Sequence, residues 1–179
     1  MDYFESIIKT LLEADGYWVK QSFKVNVTKQ EKRDIGKHSI PRPEMDLIAY
    51  NPTQNQVIVM EAKSYLDSPG VKYDSLLQET EIPEGRYKLF TCENYRNIVL
   101  NRLKLDLLEQ GLCNEHTSFV LGLAAGKIYK SQSAEIVRLF KSKSWVFWSP
   151  ESIKEKVIAL SDAGYENDPV IITTKILMR

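Results

Sequence analysis

Residues 43–63 read PEMDLIAYNPTQNQVIVMEAK, and this stretch governs the predicted fold. Two short apolar runs, 45–50 and 56–65, are separated by the turn-forming sequence NPTQN. Apolar runs of this length on either side of Asn and Pro residues are typical of a β-hairpin. The stretch therefore predicts two neighbouring antiparallel strands.

Three charged residues lie at one end of this predicted hairpin. Asp46 begins the first strand, whereas Glu61 and Lys63 end the second, so antiparallel pairing brings all three together. Glu61 and Lys63 share a face because residues two apart on a strand point to the same side. The two carboxylates and the backbone carbonyl of Ala62 would form an oxygen-lined site suited to Mg²⁺ or Mn²⁺. Lys63 would position or activate a water, or stabilise charge on a phosphate. The alternative is an ion pair that merely ends a strand at the solvent edge.

The segments around the hairpin predict a mixed α/β protein. Residues 3–14 place apolar side chains on one face at helical spacing, residues 17–27 partly alternate as a strand, and 28–43 form a charged loop. Beyond the hairpin, helix-length segments alternate with short apolar strands. The predicted helices are 97–110, 133–143 and 150–160, and the predicted strands are 119–125, 145–148 and 170–177. The element order αβββ followed by αβαβαβ places the chain in the α/β class.

Length and composition predict one ordinary globular domain over residues 1–179. The chain is 43% hydrophobic and 27% charged, has 24 basic and 24 acidic residues, and contains no apolar run long enough for a membrane helix. Its first residues carry acids where a secretory signal carries Lys or Arg, which favours a cytoplasmic protein. Cys92 and Cys113 form no CxxC pair, so neither a disulfide framework nor a zinc ribbon is indicated.

Several common chemistries have no motif in this sequence. There is no GxGxxG dinucleotide fingerprint and no GxSxG nucleophile elbow. The stretch GLAAGKI at 122–128 has one residue too few between its glycines for a phosphate loop and lacks the following Ser or Thr. His38 and His116 are the only histidines, which disfavours a histidine-based metal site or triad.

The combination of Asp46, fifteen positions later Glu61-Ala62-Lys63, and a preceding helix resembles the PD-(D/E)XK nuclease superfamily. The resemblance covers residues 1–125 and implies a restriction-endonuclease-like αβββαβ core, with residues 126–179 as an αβαβ extension. It assigns metal binding to Asp46 and Glu61 and a catalytic role to Lys63. Met45 stands before Asp46, so the literal Pro-Asp pair of the motif is absent.

Two further residues match positions that join the site in members of this superfamily. Glu5 lies on the first helix at the border of its apolar face, where its side chain would reach the rim of the site. An ordinary first-turn Glu favoured by the helix dipole is the alternative. Gln78 lies fifteen positions beyond Lys63, but no Tyr follows it at four positions, so the exonuclease-type Gln-x-x-x-Tyr signature is not present.

Local basic segments offer candidate phosphate contacts although the whole chain is neutral. The charged loop leads directly into the strand that holds Asp46, and a second basic segment follows residue 85. A solvated charged face is the alternative for each segment. The candidates are Lys29, Lys32, Arg33, Lys37, Arg42, Arg86, Arg96 and Arg102.

The sequence therefore predicts a Mg²⁺- or Mn²⁺-dependent phosphodiester hydrolase that acts on DNA, of the endonuclease type. Neutral net charge indicates weak non-specific affinity, and hence a specific DNA structure, a homodimer or a partner protein that delivers DNA. One alternative is a non-catalytic nucleic-acid-binding or interaction module on the same fold. A second is an adaptor that binds no nucleic acid.

Overall fold

The computed structural model describes residues 2–179, in which a five-stranded mixed sheet is flanked by helices. The strands lie in chain order, with β1, β2 and β3 antiparallel and with β4 and β5 parallel to β3. The strands are β1 Trp18–Lys24, β2 Glu44–Asn51, β3 Gln56–Lys63, β4 Ser118–Ala125 and β5 Val146–Trp148. The helices are α1 Tyr3–Ala14, α2 Lys29–Asp34, α3 Tyr73–Leu77, α4 Lys88–Thr91, α5 Glu93–Glu109, α6 Ser133–Ser142, α7 Pro150–Ala159 and α8 Pro169–Leu177.

The predicted hairpin is confirmed as β2 and β3. Leu47 pairs with Met60 and Asn51 pairs with Gln56, so the turn lies at one end of the ladder. Across β3 from β2, the parallel strand β4 places Ala125 beside Lys63. The carboxyl ends of β3 and β4 therefore lie together, next to the start of β2.

Two apolar clusters cover the two faces of the sheet. Leu47 and Met60 face α1, α7 and α8 on one side, and Val59 and Leu123 face α5 and α6 on the other. Burying both faces explains why β3 and β4 read as nearly continuous apolar runs. The longest described helix, α5, has 17 residues, and no helix within residues 2–179 is both long enough and apolar enough to cross a membrane.

The strand predicted at 170–177 is wrong, because this segment is helix α8. Its β-branched residues favour a strand, but the residues just before them are strong helix-start signals. The side chain of Asp168 accepts hydrogen bonds from the backbone amides of Val170 and Ile171, and Pro169 occupies the first turn. Ile171 and Thr174 then bury one side of the helix. The segment 126–179 thus contributes one strand to the sheet instead of two.

The charged segment 28–43 is also more ordered than the predicted loop, because it begins with helix α2. Thr28 accepts a hydrogen bond from the amide of Glu31, and the carboxylate of Glu31 accepts one from the amide of Thr28. This reciprocal capping box stabilises a short helix of mostly charged residues. Ile35 then inserts into the core and fixes the end of α2 against the sheet.

Candidate active site

The charged end of the β2–β3 hairpin brings Asp46, Glu61 and Lys63 into direct contact. The Nζ of Lys63 donates hydrogen bonds to Oε2 of Glu61 at 2.9 Å and to Oδ2 of Asp46 at 3.2 Å. The backbone amide of Ala62 donates to the same Oδ2 at 2.9 Å. The predicted convergence of these residues is confirmed. The backbone of Ala62 thus also lies at this site.

At Asp46, the side chains of β2 change from one face of the sheet to the other. Leu47 packs on the α1 side of the sheet, whereas Met45, two residues away, packs on the α5 side. Residues two apart normally share a face. Ser22, which lies opposite Asp46 between the flanking pairs of the ladder, has a left-handed backbone with φ of 51°. This local turn of the strand sets Asp46 beside the amide of Ala62, and no glycine in the sequence signals it.

Burial and like charge act together on the carboxylates. Glu61 is only 8% exposed, and burial raises the pKa of its carboxyl group, with the negative charge of Asp46 adding to the shift. Burial opposes the charged form of Lys63, but the carboxylates of Glu61 and Asp46 outweigh it and raise the pKa of its ammonium above the ordinary value. The direction of this shift favours the ammonium form of Lys63 at neutral pH.

The side chain of Glu5 on α1 lies at the same site. Glu5, Asp46 and Lys63 line one open pocket of about 370 Å³. Burial and then the charge of Asp46 raise the pKa of Glu5. Asp2, Glu5 and Asp46 share this pocket with the cations Lys63, Arg86 and Lys88, so acidic and basic side chains meet there in equal number.

The donor groups at this site suit a hard divalent cation. Within the described residues, Oδ1 of Asp46 and Oε1 of Glu61 accept no hydrogen bond from another side chain or from a backbone amide, whereas their second oxygens are bound to Lys63. No group of three or more His, Cys, Asp or Glu side chains among residues 2–179 is close enough to enclose a metal ion. Mg²⁺ usually binds through one or two carboxylates, waters and substrate phosphates, so a full protein cage is not needed. Asp46 and Glu61 fit this pattern, with Glu5 at the rim.

Gln78 does not join Asp46 in its pocket. Helix α3 ends at Leu77, and Gln78 is an exposed residue just beyond that end. It lines a different pocket together with Thr80 and Glu84. The two pockets share only Arg86 and Gly85 at their rims within the described residues. Because α3 is only five residues long, Gln78 has no helix that would direct it toward Lys63.

Most of the basic residues predicted to bind phosphate have partners within the protein. Arg102 pairs with Glu31 at 2.8 Å, and this contact and its hydrogen bonds bind α5 to α2. Arg96 donates to the carbonyl oxygens of Leu89 and Phe90. The remaining internal bonds run from Lys32 to Ile40 O, from Lys37 to Pro83 O, and from Arg42 to Asn26 Oδ1. Lys29 and Arg33 are exposed on α2, whereas Arg86 is exposed at the pocket itself.

Sequence reasoning missed one residue that the fold brings to the site, Lys88, and a second residue, Tyr95, lies close to Glu61. Lys88 begins α4 and lines the pocket of Asp46 and Lys63, where its charge favours the ionised form of Glu61. Tyr95 is almost completely buried on α5, and the charge of Glu61 contributes to its raised pKa, behind the larger effect of burial. Lys88 follows a loop without secondary structure, so no periodic pattern could have placed it. Comparison of the chain with protein-family models, curated proteins and solved structures gave no match.

Proposed function

We propose that this protein is a metal-dependent phosphodiester hydrolase that acts on DNA. The observation that carries the proposal is the contact of one ammonium, Lys63, with two carboxylates, Asp46 and Glu61, at the end of a central hairpin. Buried ionisable groups whose pKa values are shifted by burial and by neighbouring charges are a common feature of active sites. Asp46 and Glu61 would hold Mg²⁺ or Mn²⁺, with Glu5 assisting from α1.

The element order adds support for the restriction-endonuclease-like fold within this proposal. Helix α1 precedes the antiparallel strands β1, β2 and β3, and α5 then leads to the parallel strand β4. This is the αβββαβ order that the resemblance implies. The candidate residues lie at the end of β3 and the start of β2, as expected for such a core.

Lys63 would contribute positive charge to the reaction. Because its ammonium stays protonated beside Asp46 and Glu61, it would stabilise negative charge on a phosphate under attack instead of removing a proton from water. A divalent ion bound by the carboxylates would supply Lewis acidity and lower the pKa of a bound water. The polypeptide itself would orient the phosphate through Lys63 and the pocket cations Arg86 and Lys88.

The charge distribution supports DNA as a local ligand of this end of the sheet. Arg86 and Lys88 both line the pocket, and Arg86 is held beside Tyr65, with its guanidinium 5.7 Å from the ring centre. Lys29 and Arg33 on α2 are exposed cations that would add contacts to the backbone of a bound strand. With a net charge of zero, the protein would bind DNA through this surface and not through a general electrostatic attraction.

The decisive test compares wild type with Lys63→Ala on circular and linear DNA, with Mg²⁺ or Mn²⁺ and with EDTA. We expect metal-dependent cleavage by the wild type and a loss of about 100-fold or more in Lys63→Ala. The matched control is Lys141→Ala, since Lys141 is exposed on α6 and lines neither the pocket of Asp46 nor the pocket of Tyr95. This control should cleave like the wild type. Opening of circles would establish an endonuclease.

Two results would contradict the proposal. The first is cleavage by Lys63→Ala at the rate of the wild type, because it would place the reaction elsewhere. The second is wild-type binding of DNA that is indifferent to Mg²⁺ and gives no cleavage on any DNA structure. That second result would favour the non-catalytic nucleic-acid-binding module.

A further inference from the structure

A second pocket adjoins the candidate active site at Lys88. Its volume is about 560 Å³, which is within the range of cavities that bind small ligands. The loop 37–41 forms one side, Pro83 forms another, and Tyr95 lies on the α5 side. Lys88 lines both this pocket and that of Asp46, so a single side chain connects them.

The charges around this second pocket favour an anionic ligand. Lys37, His38 and Lys88 line it, and no acidic side chain does so among residues 2–179. Lys37 also donates a hydrogen bond to the carbonyl oxygen of Pro83 at 2.8 Å, which holds the loop across the pocket. Ile40, Pro41 and Pro83 add apolar walls. The pocket thus combines cations at its rim with apolar surfaces, as a nucleotide requires.

Tyr95 provides the most specific feature of the pocket. Its side chain is only 2% exposed, and in the described part of the chain its hydroxyl makes no hydrogen bond. Because the hydroxyl is not one of the fully buried polar atoms that lack a partner, it reaches the open space of the pocket that Tyr95 lines. The hydroxyl is thus available to a ligand in the pocket that Tyr95 lines. The Nζ of Lys88 lies 5.4 Å from the centre of the Tyr95 ring, so a cation and a free hydroxyl occur side by side.

We propose that this pocket binds one unpaired nucleotide next to the phosphodiester bond at the Asp46 site. The inference rests on the proposed function and adds a substrate class to it: DNA with a single-stranded segment at the cleavage point. Tyr95 donates to or accepts from the base or sugar, while Lys88 contacts the phosphate shared by the two pockets. Because a paired nucleotide stays stacked in the duplex, it cannot enter a side pocket without loss of pairing.

The test uses three labelled DNA substrates of the same sequence: a duplex, a fork with one unpaired arm, and a single strand. Binding is measured in EDTA, and cleavage is measured separately with Mg²⁺. Wild type should prefer the fork and the single strand over the duplex. Tyr95→Phe should reduce this preference by about three- to tenfold, the value of one lost hydrogen bond. The matched control Tyr50→Phe removes a hydroxyl bonded to Asn55 at the far end of β2 and should leave the preference unchanged.

A second variant tests the same pocket without touching the core. Ser39 is exposed on the loop and lines the pocket, so Ser39→Trp should fill it and remove the preference for unpaired DNA. An absence of preference in the wild type, or Tyr95→Phe and Ser39→Trp that both behave like the wild type, would overturn the inference.

The experiment distinguishes a failure of the nuclease proposal from a failure of the nucleotide-pocket proposal. Metal-dependent cleavage of all three substrates at equal rates would leave the nuclease proposal intact and overturn the pocket. Preferential binding of unpaired DNA in EDTA, lost in Tyr95→Phe but with no cleavage under any condition, would support the pocket and overturn the nuclease. The absence of binding in EDTA together with the absence of cleavage in Mg²⁺ would overturn both.

Discussion

The two ends of the β2–β3 hairpin use polar side chains in opposite ways. At the turn end, Asn55 accepts hydrogen bonds from Thr117 at 2.8 Å, from Tyr50 at 3.2 Å and from Asn114 at 3.2 Å. All of these groups are neutral. At the other end, Asp46, Glu61 and Lys63 meet as charged groups, and burial and like charge raise the pKa of Glu61.

This difference distinguishes polar groups that stabilise the fold from charged groups whose burial costs free energy of folding. The network of Asn55 binds the start of β3 to the loop before β4, because Asn114 and Thr117 lie in that loop. Each of its hydrogen bonds stabilises the folded state. At the Asp46 end, burial disfavours the charged forms of Glu61 and Lys63. A cation or a substrate bound at the Asp46 end would supply the stabilising contacts that neutral partners supply at the turn end.

Binding of a divalent cation at the Asp46 end should give the largest change in stability. If Asp46 and Glu61 bind Mg²⁺, the folded state gains about 2.7 kcal/mol at a concentration one hundred times the Kd. For a chain of this size, that gain raises the melting temperature by about 5–10 °C. Asp46→Asn should lose the Mg²⁺-dependent part of the shift. Differential scanning calorimetry with Mg²⁺ and with NaCl of equal ionic strength measures the effect.

The control for this measurement is a variant at the turn end. Thr117→Val leaves the Asp46 site intact and should keep the full Mg²⁺-dependent shift. An equal shift with NaCl and with Mg²⁺ would contradict metal binding at the carboxylates. So would an unchanged Mg²⁺ effect in Asp46→Asn.

Loss of a hydrogen bond at the turn end should lower stability without loss of function. Thr117 is only 3% exposed; its hydroxyl donates to Asn55 and accepts from the amide of Asn114 at 3.0 Å. Thr117→Val keeps the shape but removes both bonds, so the free energy of unfolding should fall by about 1–2 kcal/mol. Urea denaturation measures this change. A cleavage rate reduced tenfold in the folded variant would show that the two ends are not independent.

The sequence predicts the hairpin and its charged end because both depend on local patterns. Apolar runs around NPTQN fix the turn, and the spacing of Asp46 from Glu61 and Lys63 then follows from antiparallel pairing. Helix α8 was missed because the capping by Asp168 and Pro169 outweighs the β-branched composition that follows.

The sequence could not distinguish cations with internal partners from cations that are free to bind a ligand. Arg102 pairs with Glu31, which lies 71 positions away, and Lys37 bonds to a carbonyl 46 positions away. Such contacts depend on tertiary packing and leave no local pattern. For the same reason, Lys88 was missed, although it lines both pockets.

The smallest expected effect concerns Glu5 and tests whether the Asp46 end is held at an electrostatic cost. The pKa of Glu5 is raised by burial and by Asp46, so these effects outweigh the favourable position of a carboxylate in the first turn of α1. Above its raised pKa, the charged Glu5 therefore destabilises the folded state, and the cost disappears as the pH falls through the folded pKa to below the ordinary value of 4.5. Glu5→Gln should stabilise the protein at pH 7 by less than about 1 kcal/mol, because solvent screens this partly exposed group. The gain should vanish below pH 4.5. Urea denaturation of both proteins at several pH values measures it, and a variant that is less stable than wild type at pH 7 would show that Glu5 stabilises the fold and does not belong to the strained end of the hairpin.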